Sequence, residues 1–359
     1  MKKILIILGA LSMGGGEHMV YELVDNIDKS RFDVTVMCYI GKLGTPLEKK
    51  VEEVANIVYL NENHGITLAS MKHVFAKIRE INPDLIHAHL GGMVYAIPWA
   101  FLNKKKSLMI TAHTEPSQAF HKKVEKIFHW LLKNRKKTTM VVAVSKENHT
   151  ALMNYFSIDC EVCRYINNGI QLKKFYRTEH DYYTFINVAR QDENKNQIAI
   201  LECFNELYIN NKNIRLLLVG DGPCHSMLVE RTKVLGIESA VSFPGMVKDV
   251  ENYYAVSDAY IQSSFVEAMP LSALEAMAAG LPLISTDVGG MKDITCENGL
   301  LIPPGNNEAL VAAMDTLLYE QEEQRKIREQ KSLELVENYS SEKMAKEYMK
   351  LYDEMLGVI

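Results

Sequence analysis

Eleven short runs of apolar residues recur along this 359-residue chain, each separated from the next by a longer stretch with helical spacing. In the first half they read KILIILG, FDVTVMCY, ANIVYL, DLIHAHL, SLMITAH and MVVAVS. In the second they read TFINVAR, IRLLLVG, AVSFPG, AYIQSS and LPLISTD. Runs that are apolar throughout, rather than at alternate positions, belong to strands covered on both faces, and so to parallel sheets flanked by helices. Eleven such strands are too many for one compact sheet, but two sheets of five or six fit a chain of two-domain length. The turn at Asn168-Gly169 marks the junction, giving domains at 1–168 and 169–339. From 306 onward only helical patterns remain. In the last of them, 340–359, Met344, Tyr348, Leu351 and Met355 fall at i, i+4, i+7 and i+11 behind a serine cap. That helix is expected to cross back onto the first domain. In doubly wound α/β domains ligands bind beyond the carboxyl ends of the strands, so the strand-ending loops should carry the chemistry.

Charge divides the chain in the same place. Residues 1–175 hold 24 Lys and Arg against 16 Asp and Glu, while 176–359 hold 16 against 29, within a net charge of −5. A basic half suits anionic lipid or a phosphorylated acceptor. Nothing resembling an RNA motif or a recognition helix accompanies it, so nucleic acid is not an expected partner. No apolar run approaches the length of a membrane span. The six cysteines include one CxxC pair, Cys160 and Cys163, without a second pair for zinc, and read as reduced thiols of a cytoplasmic protein. The opening MKKILIILGALSMGGGE has two readings, a secretory leader or a buried strand that delivers Gly14-Gly15-Gly16 to a helix starting near Glu17.

The most specific stretch is SSFVEAMPLSALEAMAAGLPLISTDVGG. Strand AYIQSS ends at Ser263-Ser264, Glu267 follows in a loop, and Pro270 suits the first turn of a helix that stops at Gly280. Glu275 lies about 7.5 Å along that helix from Pro270, with its side chain leaning back toward the N-terminus. Two carboxylates thus point at a helix mouth whose amides, near Leu271 and Ser272, attract an anion. Arg190 at the end of TFINVAR offers a planar fork for phosphate, and Lys195, five residues later at the opening of the next helix, adds a point charge. His113 closes SLMITAH. His87 and His89 share one strand face, a spacing open to a metal pair but read here as wall or packing residues.

Glu267-x7-Glu275, followed by AMAAGLPLISTDVGG, closely resembles the E-x7-E motif of the family-4 retaining glycosyltransferases of the GT-B fold. GGGEHM, TAHTEP, INNGI, INVARQDENKN and LLLVGDGP are similar, in order, to that family's N-terminal glycine loop, T-x-H loop, interdomain turn, donor-phosphate segment and G-x-G-P loop. The resemblance spans nearly the whole chain. It implies two facing Rossmann-like domains with a cleft between them, the first acceptor-side and the second binding a nucleotide-sugar. It implies sugar transfer from that donor, a UDP-sugar, with retention of configuration and without a metal or other cofactor. Arg190 and Lys195 would neutralise the leaving diphosphate, Glu267 would hold sugar hydroxyls, and Glu275 the ribose. Main chain at Pro244 to Val247 would hold the base. His113 would support the reacting centre, and Gly15 and Gly16 would bring bare backbone to the diphosphate. No side chain stands out as a covalent nucleophile. An oxocarbenium-like transition state with a departing phosphate asks chiefly for stabilisation of negative charge.

The acceptor is expected to be a glycan or a polyprenyl-diphosphate-linked sugar, because membrane-associated members of the family extend glycans on such carriers. HKKVEKIFHWLLKNRKK (121–137) is a basic amphipathic helix with Trp130, suited either to an anionic membrane surface or to packing on its sheet. Such an enzyme would be cytoplasmic, peripheral on the membrane at most, with its opening strand retained. Two positions depart from the family: Ala268 stands where Gly or Ser is usual, and Asp293 where Glu often follows the late GG pair. Both bear on the identity of the sugar. A nicotinamide-dependent oxidoreductase would need G-x-G-x-x-G after a strand, a spacing that GALSMGGG, VGDGPC and DVGGMK all lack. A non-catalytic two-domain sugar-binding protein and a GT-B sugar-nucleotide epimerase are the remaining alternatives.

Overall fold

The computed structural model describes residues 1–62 and 65–358 and divides into two compact units, 1–169 with 341–359, and 170–340. The last residue of the helical segment expected at 340–359 lies outside the described residues. The first unit holds β1 (Lys2–Leu8), β2 (Phe32–Cys38), β3 (Asn56–Tyr59), β4 (Leu85–His89), β5 (Ser107–Ala112), β6 (Thr139–Ala143) and β7 (Cys163–Tyr165). The second holds β8 (Tyr183–Val188), β9 (Ile214–Val219), β10 (Val241–Gly245), β11 (Ala259–Gln262), β12 (Leu283–Thr286) and β13 (Gly299–Ile302). Every pairing is parallel. The sheet orders are β3-β2-β1-β4-β5-β6-β7 and β10-β9-β8-β11-β12-β13, so each sheet starts at its centre, winds one way, then returns and winds the other.

All eleven expected strands are present, and two short edge strands, β7 and β13, were not expected, so the first sheet has seven members rather than five or six. The opening segment is β1, buried from Ile4 to Leu8 between β2 and β4. The core of each unit comes from these strands and the inner faces of their helices. The terminal helix Ser341–Leu356 returns to the first unit with Met344, Tyr348, Leu351 and Met355 buried. There Tyr352 packs edge-on against Phe32 at 5.7 Å, and Asp353 pairs with Arg31.

The basic stretch forms the helix Lys122–Asn134. Its apolar stripe, Val124, Phe128, Leu131 and Leu132, is buried in the first unit's core, so packing claims the face that a membrane would need. Trp130 stays 46 % exposed, edge-on to Phe101 of the helix Met93–Leu102. No helix among the described residues is long and apolar enough to cross a membrane.

Candidate active site

In each sheet the strand order reverses once, between β1 and β4 and between β8 and β11, and the two strands there send their next loops in opposite directions. The space beyond their carboxyl ends is where a doubly wound sheet receives a ligand. The chain leaves β8 through Arg190 and a single 3-10 turn, Glu193–Lys195, closed by Asp192 accepting from the Lys195 amide. Lys195 therefore ends a turn ahead of the helix Gln197–Asn210 rather than opening it. The chain leaves β11 into the loop that carries Glu267.

These two loops are fastened together. Asn194 Nδ2 donates to the Val266 carbonyl and Val266 N–H donates back to Asn194 Oδ1, both at 2.9 Å. Ser263 Oγ donates to the Lys195 carbonyl at 2.9 Å. The late GG pair holds the loop from the other side. Gly290 N–H donates to the Ala268 carbonyl at 2.6 Å, and a Cβ at Gly289 would drive into the Glu267 carbonyl. So fixed, the Lys195 ammonium donates to Glu267 Oε1, which also accepts from Ser264 Oγ at 2.7 Å. One of three ammonium donors is engaged by Glu267, and the others remain for an anion.

Pro270, expected in the first turn, is the N-cap of the helix Leu271–Ala278, directly ahead of that turn. With no side-chain cap, the amides of Leu271 and Ser272 precede the first intrahelical bond, from Ala273 to the Pro270 carbonyl. Glu275 sits one turn in. Tyr254 Oη donates to the Ser272 carbonyl at 2.9 Å and lies 3.1 Å from Glu275 Oε2, while Tyr260 Oη meets Ser272 Oγ at 2.9 Å. Burial pushes the Glu275 carboxyl up, opposed by the Tyr254 hydroxyl and the Lys174 charge. Burial likewise raises the Tyr260 hydroxyl, and both Glu267 and Glu275 add to that through their charge. The structure thus brings Lys195, Glu267, Leu271, Ser272 and Glu275 into one neighbourhood. Arg190 stands apart, two residues past β8, with its side chain 69 % exposed and its Nε 3.7 Å from Asp192. Main chain at Pro244 to Val247 ends β10 and starts the following loop.

The first unit builds its own set at the β1/β4 reversal. Gly14 caps the helix Gly15–Asn26, so Gly15 and Gly16 form its first turn rather than a loop ahead of it. Glu17 folds back to accept from Ser12 Oγ. A Cβ at Gly16 would lie 3.1 Å from Leu90, which itself holds a left-handed φ of 49° after the end of β4. His89, at the tip of β4, places Nδ1 2.9 Å from Nε2 of His113, one residue past β5. His87 is fully buried, with Nδ1 2.7 Å from Tyr352 Oη and Nε2 2.8 Å from Thr111 Oγ1, which meets Tyr348 Oη at 3.0 Å. Burial drives all three imidazoles down, His87 to about 3 and His113 to about 4, with His89 well below its usual value. All three are neutral at physiological pH. No group of three His, Cys, Asp or Glu among the described residues has metal-binding geometry.

Sequence reasoning missed Asn194, Ser264, Tyr254 and Tyr260. Ser264 was within reach as the strand-ending hydroxyl three residues before Glu267. The tyrosines sit among apolar neighbours in ENYYAVSDAYIQ, where nothing separates a packing ring from one whose hydroxyl points at a carboxylate.

Two family models match, glycosyltransferase Family 4 over residues 13–174 and glycosyl transferases group 1 over residues 170–333. The chain is 30% identical over 188 residues to the N-acetyl-alpha-D-glucosaminyl L-malate synthase of Bacillus anthracis, 52% of this chain but only 49% of that relative's length. It is 25% identical to the putative teichuronic acid biosynthesis glycosyltransferase TuaC of Bacillus subtilis, covering 86% of this chain and 87% of that one. Among solved structures, Anabaena HepE in complex with UDP and glucose superposes with a TM-score of 0.82 at 17% identity, over 98% of this chain and 100% of the other. The two matches together run from the first glycine turn to the helices after β13, on two parallel Rossmann-like sheets. The chain is a family-4 glycosyltransferase of the GT-B fold.

Proposed function

We propose that this protein transfers a sugar from a nucleotide-sugar, a UDP-sugar, to an acceptor hydroxyl with retention of anomeric configuration. The observation that carries the reading is the Lys195–Glu267–Ser264 set at the β8/β11 reversal, beside the uncapped amides of Leu271 and Ser272. A departing diphosphate is the group such cations and amides stabilise, and they do so as charge develops in the transition state. Lys195 and the amides neutralise the phosphates, so the proposed reaction needs no metal. Arg190 has the length and freedom to close on the diphosphate from its exposed position. Glu267 accepts from sugar hydroxyls and Glu275 from the ribose, while main chain at Pro244 to Val247 holds the base. His113, Gly15 and Gly16 are the first unit's contribution to the sugar and the diphosphate. The relative involved in teichuronic acid biosynthesis supports a growing surface glycan or a polyprenyl-diphosphate-linked sugar as acceptor. Phe101 and Leu102, 43 % and 67 % exposed beside Trp130, support a cytoplasmic enzyme peripheral on an anionic membrane.

The test is a thermal-shift screen of nucleotide-sugars, followed by hydrolysis and transfer assays with the best binder. A rise in Tm with a UDP-sugar, and release of UDP that accelerates with acceptor, is the expected result. No shift with any nucleotide-sugar counts for a sugar-binding protein, and conversion of a UDP-sugar with no acceptor present counts for an epimerase.

A further inference from the structure

The two imidazoles at the carboxyl ends of β4 and β5 share one short contact, His89 Nδ1 to His113 Nε2 at 2.9 Å. Both rings are neutral, so one proton lies between them and each ring keeps one bare nitrogen. Two arrangements satisfy that count. Either His89 donates from Nδ1 and leaves Nε2 bare, or His113 donates from Nε2 and His89 carries its proton on Nε2. The surroundings choose between them. His89 Nε2 is buried with no hydrogen-bond partner among the described residues. A proton there is an orphaned buried donor, the rarest kind of unsatisfied group in folded proteins, whereas a bare lone pair is the milder loss. The ring is held in place by His87, whose centroid is 4.0 Å away and whose own two nitrogens are tied to Tyr352 and Thr111.

We propose that His89 is a positioning residue that donates to Nε2 of His113 and so fixes the His113 proton on Nδ1. His113 then presents a neutral N–H to its ligand and serves as a hydrogen-bond donor to an oxygen, not as a proton acceptor. No residue among those described takes up His113 Nδ1. The oxygen it would meet belongs to the sugar or its phosphate, a clause that rests on the proposed transferase reading. The tautomer itself does not rest on it. A free histidine side chain in water prefers its proton on Nε2, so one held the other way needs a fixed donor to hold it, and His89 is that donor.

Histidine-selective 15N labelling of the full chain, with long-range proton–nitrogen spectra at pH 7.5 and no nucleotide-sugar, reads the tautomers directly. The signals are assigned by their loss in His89→Asn and His113→Asn. Both histidines are expected neutral, with Nδ1 protonated and Nε2 bare. A His113 protonated on Nε2, or on both nitrogens, overturns the proposal whether or not the protein is a transferase. In transfer assays His89→Asn, whose amide N–H takes the place of Nδ1–H, should keep activity within about threefold. His89→Leu should lose kcat by about 10–100-fold with donor KM nearly unchanged, less than the roughly 100–1,000-fold of a deleted transition-state donor because His113 itself remains. Full activity in His89→Leu, or equal losses in Leu and Asn, removes the positioning role.

Discussion

Glu267 is one-tenth exposed and keeps two partners, the Lys195 ammonium and the Ser264 hydroxyl. Taking away the ammonium leaves a mostly buried carboxylate with a single hydroxyl, which costs more than the pair contributes. Lys195→Ala is therefore expected to lose transfer by about 100-fold or more and also to lower Tm. Adding Glu267→Gln should restore Tm without restoring transfer. If both recover together, Lys195 is a structural cation and its role at the diphosphate is lost. Glu275 gives a prediction of a different kind. Its carboxyl is raised by burial and held down by the Tyr254 hydroxyl, so on acidification it protonates earlier than an ordinary Glu. A protonated Glu275 accepts fewer ribose hydroxyls, so donor KM should climb as pH falls toward 5. In Tyr254→Phe the lowering hydroxyl is gone, and the climb should begin at higher pH. Donor KM measured from pH 8 to 5 in both proteins checks the sign. A Tyr254→Phe curve shifted to lower pH, or an unmoved one, would sink the assignment.

At the scale of elements, the β4–β5–terminal-helix sandwich is joined by polar groups inside an apolar core. His87 bonds Tyr352 on one side and Thr111 on the other, all buried. Its folded pKa of about 3 lies below the ordinary value near 6.5, so the unfolded chain binds the proton first. Stability from this residue is full above pH 6.5 and is lost as pH falls toward 3. Between pH 7 and 5 the loss is roughly 2 kcal/mol from His87 alone. Both tryptophans, Trp99 and Trp130, lie in the first unit, so urea unfolding followed by their fluorescence reads this sandwich without the second sheet. His89 and His113 are lowered too, so His87→Gln should remove only its own share, roughly 2 kcal/mol, of the loss between pH 7 and 5; an equally steep loss in the variant would assign it elsewhere. The same elements show what was legible beforehand. The apolar stripe Met344, Tyr348, Leu351 and Met355 announces a buried helix face from spacing alone. That Tyr348 reaches Thr111, and that Tyr352 reaches His87, depends on partners more than 230 residues away, which no local pattern encodes. β7 and β13 escaped for a neighbouring reason. They are three and four residues long, sit at sheet edges, and carry Arg164 or a half-exposed Leu301 where a central strand would be wholly apolar. Glu267 and Glu275 were legible because both are anchored to one strand-loop-helix junction. Tyr254, the partner of Glu275, comes from the separate helix Glu251–Ala255.

For the whole molecule, the charge split sets a puzzle that the local geometry answers. The unit proposed to hold an anionic donor, residues 170–340, carries the acidic excess, 25 acids against 15 bases, so its long-range field repels the ligand. Binding then rests on short-range groups, Lys195 and the helix amides, whose effect salt screens little. The basic half has the opposite design. Arg135 ties the helix Lys122–Asn134 to the end of the helix Met93–Leu102 by donating to the carbonyls of Ala100, Lys104 and Lys106. That clamp makes one rigid surface of Phe101, Leu102 and Trp130, with exposed Lys104, Lys105, Lys126 and Lys133 on the same two segments. Aromatic and aliphatic tips among lysines match an anionic interface, each lysine near such a surface adding about 1 kcal/mol. Flotation with vesicles of phosphatidylglycerol should carry the protein upward, and vesicles of phosphatidylcholine should not. Binding should weaken at high salt through the lysines. Phe101→Ser with Leu102→Ser and Trp130→Ser should abolish it while transfer to a water-soluble acceptor persists. If the protein ignores anionic vesicles at low salt, the lysines are a solvated face and the acceptor must come to the enzyme through water.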